Sequence, residues 1–175
     1  MRSIVLQHLL LSLLITSCGL FPGSLGLSMG PTESAVQVDL QPLATEMLIE
    51  TNRTRMQEGV PPLIAHTMLM SAAETRAADM AQLGYFDHIH PLRGTAEIER
   101  LLRPEFPGGR IAELVYRGDG SLDDLPGQAL LAWMADTDNR RVLLDPDYQW
   151  VGAGLQREGS YWMAVLVLVG QAQEG

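Results

Sequence analysis

Tyr161-Trp162-Met163-Ala164-Val165-Leu166-Val167-Leu168-Val169 carries no charge and is apolar along its whole length. A strand alternates its side chains between two faces, so a strand apolar on both must be covered on both. Just upstream, Val151-Gly152-Ala153-Gly154-Leu155-Gln156-Arg157 reads as a second strand. Glu158-Gly159-Ser160 joins the two as a hairpin with a Gly-bearing turn. The covering layers have to come from the helical segments that precede the hairpin. Helices first and a hairpin last give an α+β fold, a three-layer α–β–α sandwich around a small antiparallel sheet.

Working back along the chain supplies those helices. Leu43 to Glu58 repeats Leu43, Met47, Thr51 and Arg55 every four residues and is ended by Gly59 and Pro61-Pro62. His66-Thr67 opens a second helix that runs to Leu83, with a stripe of Leu69, Ala73, Arg76-Ala77 and Met80 and Gly84 as its stop. Tyr85 to Pro91 is an irregular loop carrying His88 and His90. Thr95 to Arg103 forms a short helix closed by Pro104. Ile111 to Val115 suits a strand or an extended loop, Gln128 to Ala135 a helix entered through Pro126, and Asn139 to Leu144 a helical turn ended by Asp145-Pro146.

The 175-residue chain begins with a different kind of segment. One cation, Arg2, precedes an apolar run from Ile4 to Ile15. That run is shorter than the roughly 20 residues a transmembrane helix needs, but it suits the apolar region of an export signal. It ends in Leu14-Ile15-Thr16-Ser17-Cys18, which resembles a bacterial lipobox, with Cys18 as the lipidated mature N-terminus. Cys18 is the single cysteine, so no disulfide within the chain is expected to support folding after export. Residues 1–17 are then a signal peptide, and 18–41, rich in Gly, Ser and Pro at its start, a flexible tether. About 130 residues, 42–173, remain for one domain, enough for a core. The chain is expected to be exported and held at the cell envelope by lipid on Cys18. Gly19, rather than Asp, after the cysteine favours an outer membrane where one exists.

With 12 basic against 21 acidic residues, and every cation an Arg, the chain would repel a phosphate backbone, so nucleic acid is not an expected partner. No phosphate-binding Gly-rich loop, nucleophile elbow or His-Glu-x-x-His motif occurs.

The order of segments resembles the CAP superfamily, also called SCP-like, which includes cysteine-rich secretory proteins, venom allergens and plant pathogenesis-related proteins. The resemblance runs through Met47 to Arg55, Gly59 to Leu63, Ala77 to Met80 and Gly84-Tyr85-Phe86-Asp87-His88, where bacterial members usually read Gly-x-Phe-Ser-His. It continues through Ala112-Glu113-Leu114, Trp133-Met134, Asn139-Arg140, Leu143-Leu144, Val151 to Gly154 and Tyr161-Trp162. It implies the same α–β–α fold.

It also implies a cleft lined by two His and acidic residues that in some members hold a divalent cation. Carried over, the first His is His88 and the acid of the Gly-Glu-Asn motif is Glu113, here between Ala112 and Leu114. The second His, before the Arg matched by Arg140, is replaced by Asn139. Three arrangements remain open: His88 and Glu113 as a buried hydrogen-bonded pair, the two lining a metal-free ligand cleft, or His90 completing a His88, His90 and Glu113 site for an ion such as zinc. Trp133 and Trp162 read as core or cleft wall, the helical Met residues as core filler, and His66 as a surface residue at a helix start. Arg140 and Arg141 are expected to pair with Asp136 or Asp138.

The expected function is a non-catalytic binding module whose cleft, including His88, Glu113, Asn139 and Arg140, takes a lipid, a cell-wall fragment, a peptide or another protein, with no cofactor expected. The alternative is a metal-assisted hydrolase of peptides or envelope polymers using His88, His90 and Glu113.

Overall fold

The computed structural model describes residues 39–172. The expected signal peptide, the lipidation site Cys18 and nearly all of the tether lie outside the described residues. The domain runs α1 (Gln41–Gln57), β1 (Ile64–Ala65), α2 (Thr67–Leu83), α3 (Glu97–Leu102), β2 (Gly109–Gly118), α4 (Leu125–Ala135), α5 (Thr137–Leu143), β3 (Tyr148–Glu158) and β4 (Tyr161–Ala172). Among these residues no helix is long and apolar enough to cross a membrane.

The sheet order is β1-β3-β4-β2. β4 is flanked by β3 and β2, both antiparallel to it, and this central place is why its sequence is apolar on both faces. Met163, Val165, Val167 and Val169 pack with Leu69 and Met80 of α2 and Leu102 of α3. Trp162, Ala164, Leu166 and Leu168 pack with Met47 of α1, Trp133 of α4 and Leu143 of α5. Each fully buried Leu or Val on these faces contributes about 1.5–3 kcal/mol relative to exposure, so the two faces of one strand organise both cores. The sheet departs from the expected antiparallel form at one edge. There β1, two residues long and not anticipated, pairs in parallel with β3 through Ile64 and Ala65. The Asn52 side chain holds this segment by bonding both backbone groups of Leu63.

α2 lies directly on β3 because Gly152 and Gly154 leave room for its backbone. A Cβ at Gly152 would sit 2.1 Å from the Leu69 carbonyl carbon, and one at Gly154 2.2 Å from that of Ala73. The helix ends as the sequence predicts, on Gly84 in the left-handed region, whose N–H returns to the Met80 carbonyl.

Other boundaries shift for local reasons. α1 starts at Gln41 rather than Leu43, since Pro42 is pre-organised for a first turn and Leu40 packs on the core. α4 likewise begins at Leu125, with Pro126 in its first turn. α3 is shorter than expected, because the Thr95 carbonyl accepts the His90 N–H and Ala96 bridges Ile89, keeping both extended. The ambiguous segment around Ile111 is a ten-residue strand. His66 is half-buried rather than a surface residue, with its ring edge-on to Phe106 and Trp150.

Candidate functional site

The buried face of α2 comprises Leu69, Ala72, Ala73, Arg76, Ala77 and Met80, so Arg76 projects into the apolar layer between helix and sheet. A guanidinium there must be hydrogen-bonded and paired. β2 supplies the anion. Its side chains alternate, with Ile111 and Val115 in the α2 core and Leu114 in the α4 core, and Glu113 points to the α2 side. Arg76 Nε donates to Glu113 Oε1 at 2.7 Å, and the side chains are 0% and 6% exposed. The rest of the guanidinium is used on the loop after α2, donating to the Tyr85 hydroxyl and the Asp87 carbonyl. The Tyr85 hydroxyl in turn donates to Asp79 Oδ2 at 2.6 Å. Burial first, then the bond to Asp79, pushes this phenol up to about 12.

His88 closes the set from outside. Its Nδ1 lies 2.7 Å from Glu113 Oε2, and its side chain is 55% exposed. Because both carboxylate oxygens only accept, Nδ1 carries the proton and Nε2 is the outward nitrogen. The hydrogen bond to Glu113 raises the His88 pKa above its ordinary value, against an opposing effect of burial.

His90 does not join this group. It is buried, and its Nδ1 accepts the backbone N–H groups of Leu92 and Arg93 at 3.1 and 3.2 Å. That fixes the other tautomer and turns Nε2 toward Asp79 Oδ2, 3.4 Å away. The anticipated His88, His90 and Glu113 metal triad is therefore not assembled: Glu113 has both oxygens engaged and His90 serves its own loop. Among the described residues no group of three His, Cys, Asp or Glu side chains is disposed to hold a metal ion.

Asn139 and Arg140 also stand apart. Both lie on α5, which packs through Leu143 in the layer of α1 and α4, whereas Glu113 faces α2. The Asn139 backbone N–H is capped by Asp136 Oδ1 at 2.8 Å. Arg140 pairs with Glu58 at 3.1 Å, not with the Asp residues expected, while Arg141 does pair with Asp138 at 3.0 Å. Among the described residues no hydrogen bond links Asn139 or Arg140 to His88 or Glu113. Reading the sequence for site residues missed Arg76, Asp79 and Tyr85. The available signal was Arg76 itself, a charge inside an apolar helical stripe that had to have a buried partner.

The family model described as the cysteine-rich secretory protein family, CAP, matches residues 48–170, from α1 into β4. The chain belongs to this family. The CAP domain is 27% identical over 112 residues to an uncharacterized Bacillus subtilis protein, YkwD, a match spanning 64% of this chain but 42% of that relative. In structure it is similar to an outer surface protein of Borrelia burgdorferi, at 15% identity and TM-score 0.65 over 77% of this chain and 96% of the other. It is also similar to an extracellular SCP-domain protein of Bacillus anthracis, at 18% identity and TM-score 0.58 over 73% and 40% of the two chains. At these identities the structural likenesses establish the fold. Within this CAP domain, the His88 side chain is half exposed and is backed by Glu113 and Arg76.

Proposed function

We propose that this protein is an exported, lipid-anchored CAP protein of the cell envelope whose domain binds a ligand or partner at His88 and performs no catalysis. The observation that carries the binding reading is the enclosure of Glu113 between two protein groups. With Arg76 on one oxygen, His88 on the other and only 6% of its side chain exposed, its carboxylate is held by protein groups rather than offered to water or an ion. What the arrangement presents outward is one oriented imidazole, and the same loop also exposes the side chains of Phe86 and Ile89. An aromatic and an aliphatic contact beside a polar group that fixes orientation is the composition of a recognition surface.

The anchoring reading is supported by Leu14-Ile15-Thr16-Ser17-Cys18, the single cysteine standing where a lipobox requires it. The named relatives from Borrelia burgdorferi and Bacillus anthracis, described as outer-surface and extracellular, make export of this chain the natural assignment.

Two experiments test the halves separately. Cells fed an alkyne fatty acid should label the wild-type chain and not Cys18→Ser, and the substituted protein should leave the membrane fraction. Titration of the purified chain with phospholipid vesicles, cell-wall fragments and extended peptides should shift the His88 imidazole resonances for one class, and His88→Ala should weaken that binding. Equal binding by His88→Ala would remove the site. Stoichiometric zinc with chelator-sensitive hydrolysis would replace the reading with an enzymatic one.

A further inference from the structure

β2 is ten residues long and forms an edge of the sheet, paired on one side with β4. Backbone groups along a strand point alternately to the two sides, so contacts on the open side reveal which residues face it. The Val115 carbonyl accepts the Trp133 indole N–H at 3.0 Å, away from β4. The opposite side of the sheet has the same parity. There the Val151 carbonyl accepts the His66 N–H and the Ala153 N–H meets Met70 Sδ at 3.2 Å, again away from β4. Ile111, Glu113, Val115 and Arg117 thus turn their N–H and C=O groups outward. Among the described residues the backbone groups of Ile111, Glu113 and Arg117 have no partner on that side. Edges left in this state accept another strand unless they are blunted. Here one indole and, at Gly109, one Arg103 guanidinium are the plugs.

Two polar side chains border the open stretch, one of them a fixed cation. His88 sits on Glu113, and Arg117 projects to the same side four residues further on, about 13 Å along the strand. The Arg117 guanidinium lies 5.4 Å from the Phe86 ring centre and 5.2 Å from that of Tyr161. It has no carboxylate partner among the described residues, whereas Arg53, Arg103, Arg110 and Arg140 each hold one. On a chain with net charge −9, a cation left without an acid beside an open edge favours an acidic occupant. A second copy would bring the same Arg117 cation to the same edge and is the poorer fit.

We propose that the open edge of β2 adds an extended acidic peptide as a further strand, its main chain bonded to Ile111, Glu113, Arg117 and the Val115 N–H, with one carboxylate set against Arg117 and a polar side chain four residues away set against His88. This rests on the binding role given to His88 above and supplies the class of ligand. Main-chain bonds provide the attachment, and Arg117 selects an acidic sequence.

The probe is a fluorescein-labelled peptide, Thr-Asp-Val-Thr-Val-Asp-Val-Thr, titrated into the purified full chain. Saturable binding is expected, weakened about tenfold by Arg117→Ala or by Asn at both acidic positions, as for rim ion pairs supporting a strand contact. N-methylation of alternate peptide bonds should abolish it. Amide exchange should slow at Ile111, Glu113, Val115 and Arg117 and stay unchanged at Ala112 and Leu114, which already face β4. Strand addition is overturned by absence of saturable binding, by equal binding of the N-methylated peptide, or by a peptide-free dimer that protects the same four amides. Equal binding of the Asn peptide overturns the acidic selection. Binding that needs His88 but leaves those amides exchanging would preserve the role of His88 and reject the added strand. Protection of the four amides unaffected by His88→Ala would support the strand and reject that role.

Discussion

Arg76 and Glu113 are 37 residues apart in the chain and meet at 2.7 Å in the interface between α2 and the sheet, both removed from water. This contact fixes the loop from Tyr85 to His88 as well as the helix, because the same guanidinium also binds the Tyr85 hydroxyl and the Asp87 carbonyl. Removing one member leaves the other charged and buried. Glu113→Ala or Arg76→Ala should therefore cost about 3–5 kcal/mol, read as a lowered urea midpoint. Replacing both, Arg76→Met with Glu113→Leu, should recover much of that loss, since a buried pair is no more stabilising than well-packed apolar groups. Singles costing under about 1 kcal/mol would mean that the pair is hydrated in solution.

His88 ties stability to pH. Its folded pKa is raised above the ordinary 6.5, first by the hydrogen bond to Glu113. A group with a raised folded pKa stabilises fully below its unfolded value and loses that contribution as pH rises through the folded one. The stability gap between wild type and His88→Gln should then be widest below about pH 6 and narrow steadily as the solution becomes alkaline. Chemical unfolding across that range measures it. A gap that widens with pH would show that the neutral imidazole makes the better contact.

Metal removal should do nothing to the fold. Glu113 is enclosed between Arg76 and His88, and His90 is held by two backbone N–H groups, so chelator or added Zn²⁺ should leave the melting temperature of the full chain unchanged. Restoring a second imidazole through Asn139→His should not create an ion site either, because α5 lies in the layer of α1 and α4 while Glu113 faces α2. Metal-dependent stabilisation of that variant by several degrees would show that α5 approaches His88 in solution.

How much of this was legible depended on whether the signal was local. The apolar run of β4 disclosed a central strand and two covering layers because each of its faces is a core. Helix ends were readable where one residue forces them, as Gly84 does for α2. β1 was not readable: two residues have no periodicity, and its place is set by Asn52 and by β3. At the site, His88 and Glu113 were found through the family pattern, but their partner Arg76 was folded into an apolar stripe. His90, close to His88 in the same loop, was grouped with it by sequence proximity alone. The backbone turn at Leu92 and Arg93 decides its direction, and that turn is invisible before the loop is built.

The Gly-x-Gly in β3 makes the sharpest packing prediction. Val151 to Gly154 reads in sequence simply as part of a strand, yet both glycines sit under the α2 backbone rather than under side chains. A methyl group 2.1–2.2 Å from the Leu69 and Ala73 carbonyl carbons cannot be absorbed by a rotamer change, so α2 itself would have to move. Gly152→Ala and Gly154→Ala should each destabilise by about 1–3 kcal/mol or more, and their effects should be less than additive because one displacement of α2 relieves both. Such a displacement also draws Arg76 away from Glu113, so either variant should alter the His88 imidazole resonances from a distance. Gly127→Ala is the matched control: it lies in the first turn of α4 with nothing within 4 Å of the added carbon, and should stabilise by roughly 0.5–1 kcal/mol through helix propensity. If Gly152→Ala and Gly127→Ala moved the urea midpoint alike, close contact between α2 and β3 would have to be abandoned.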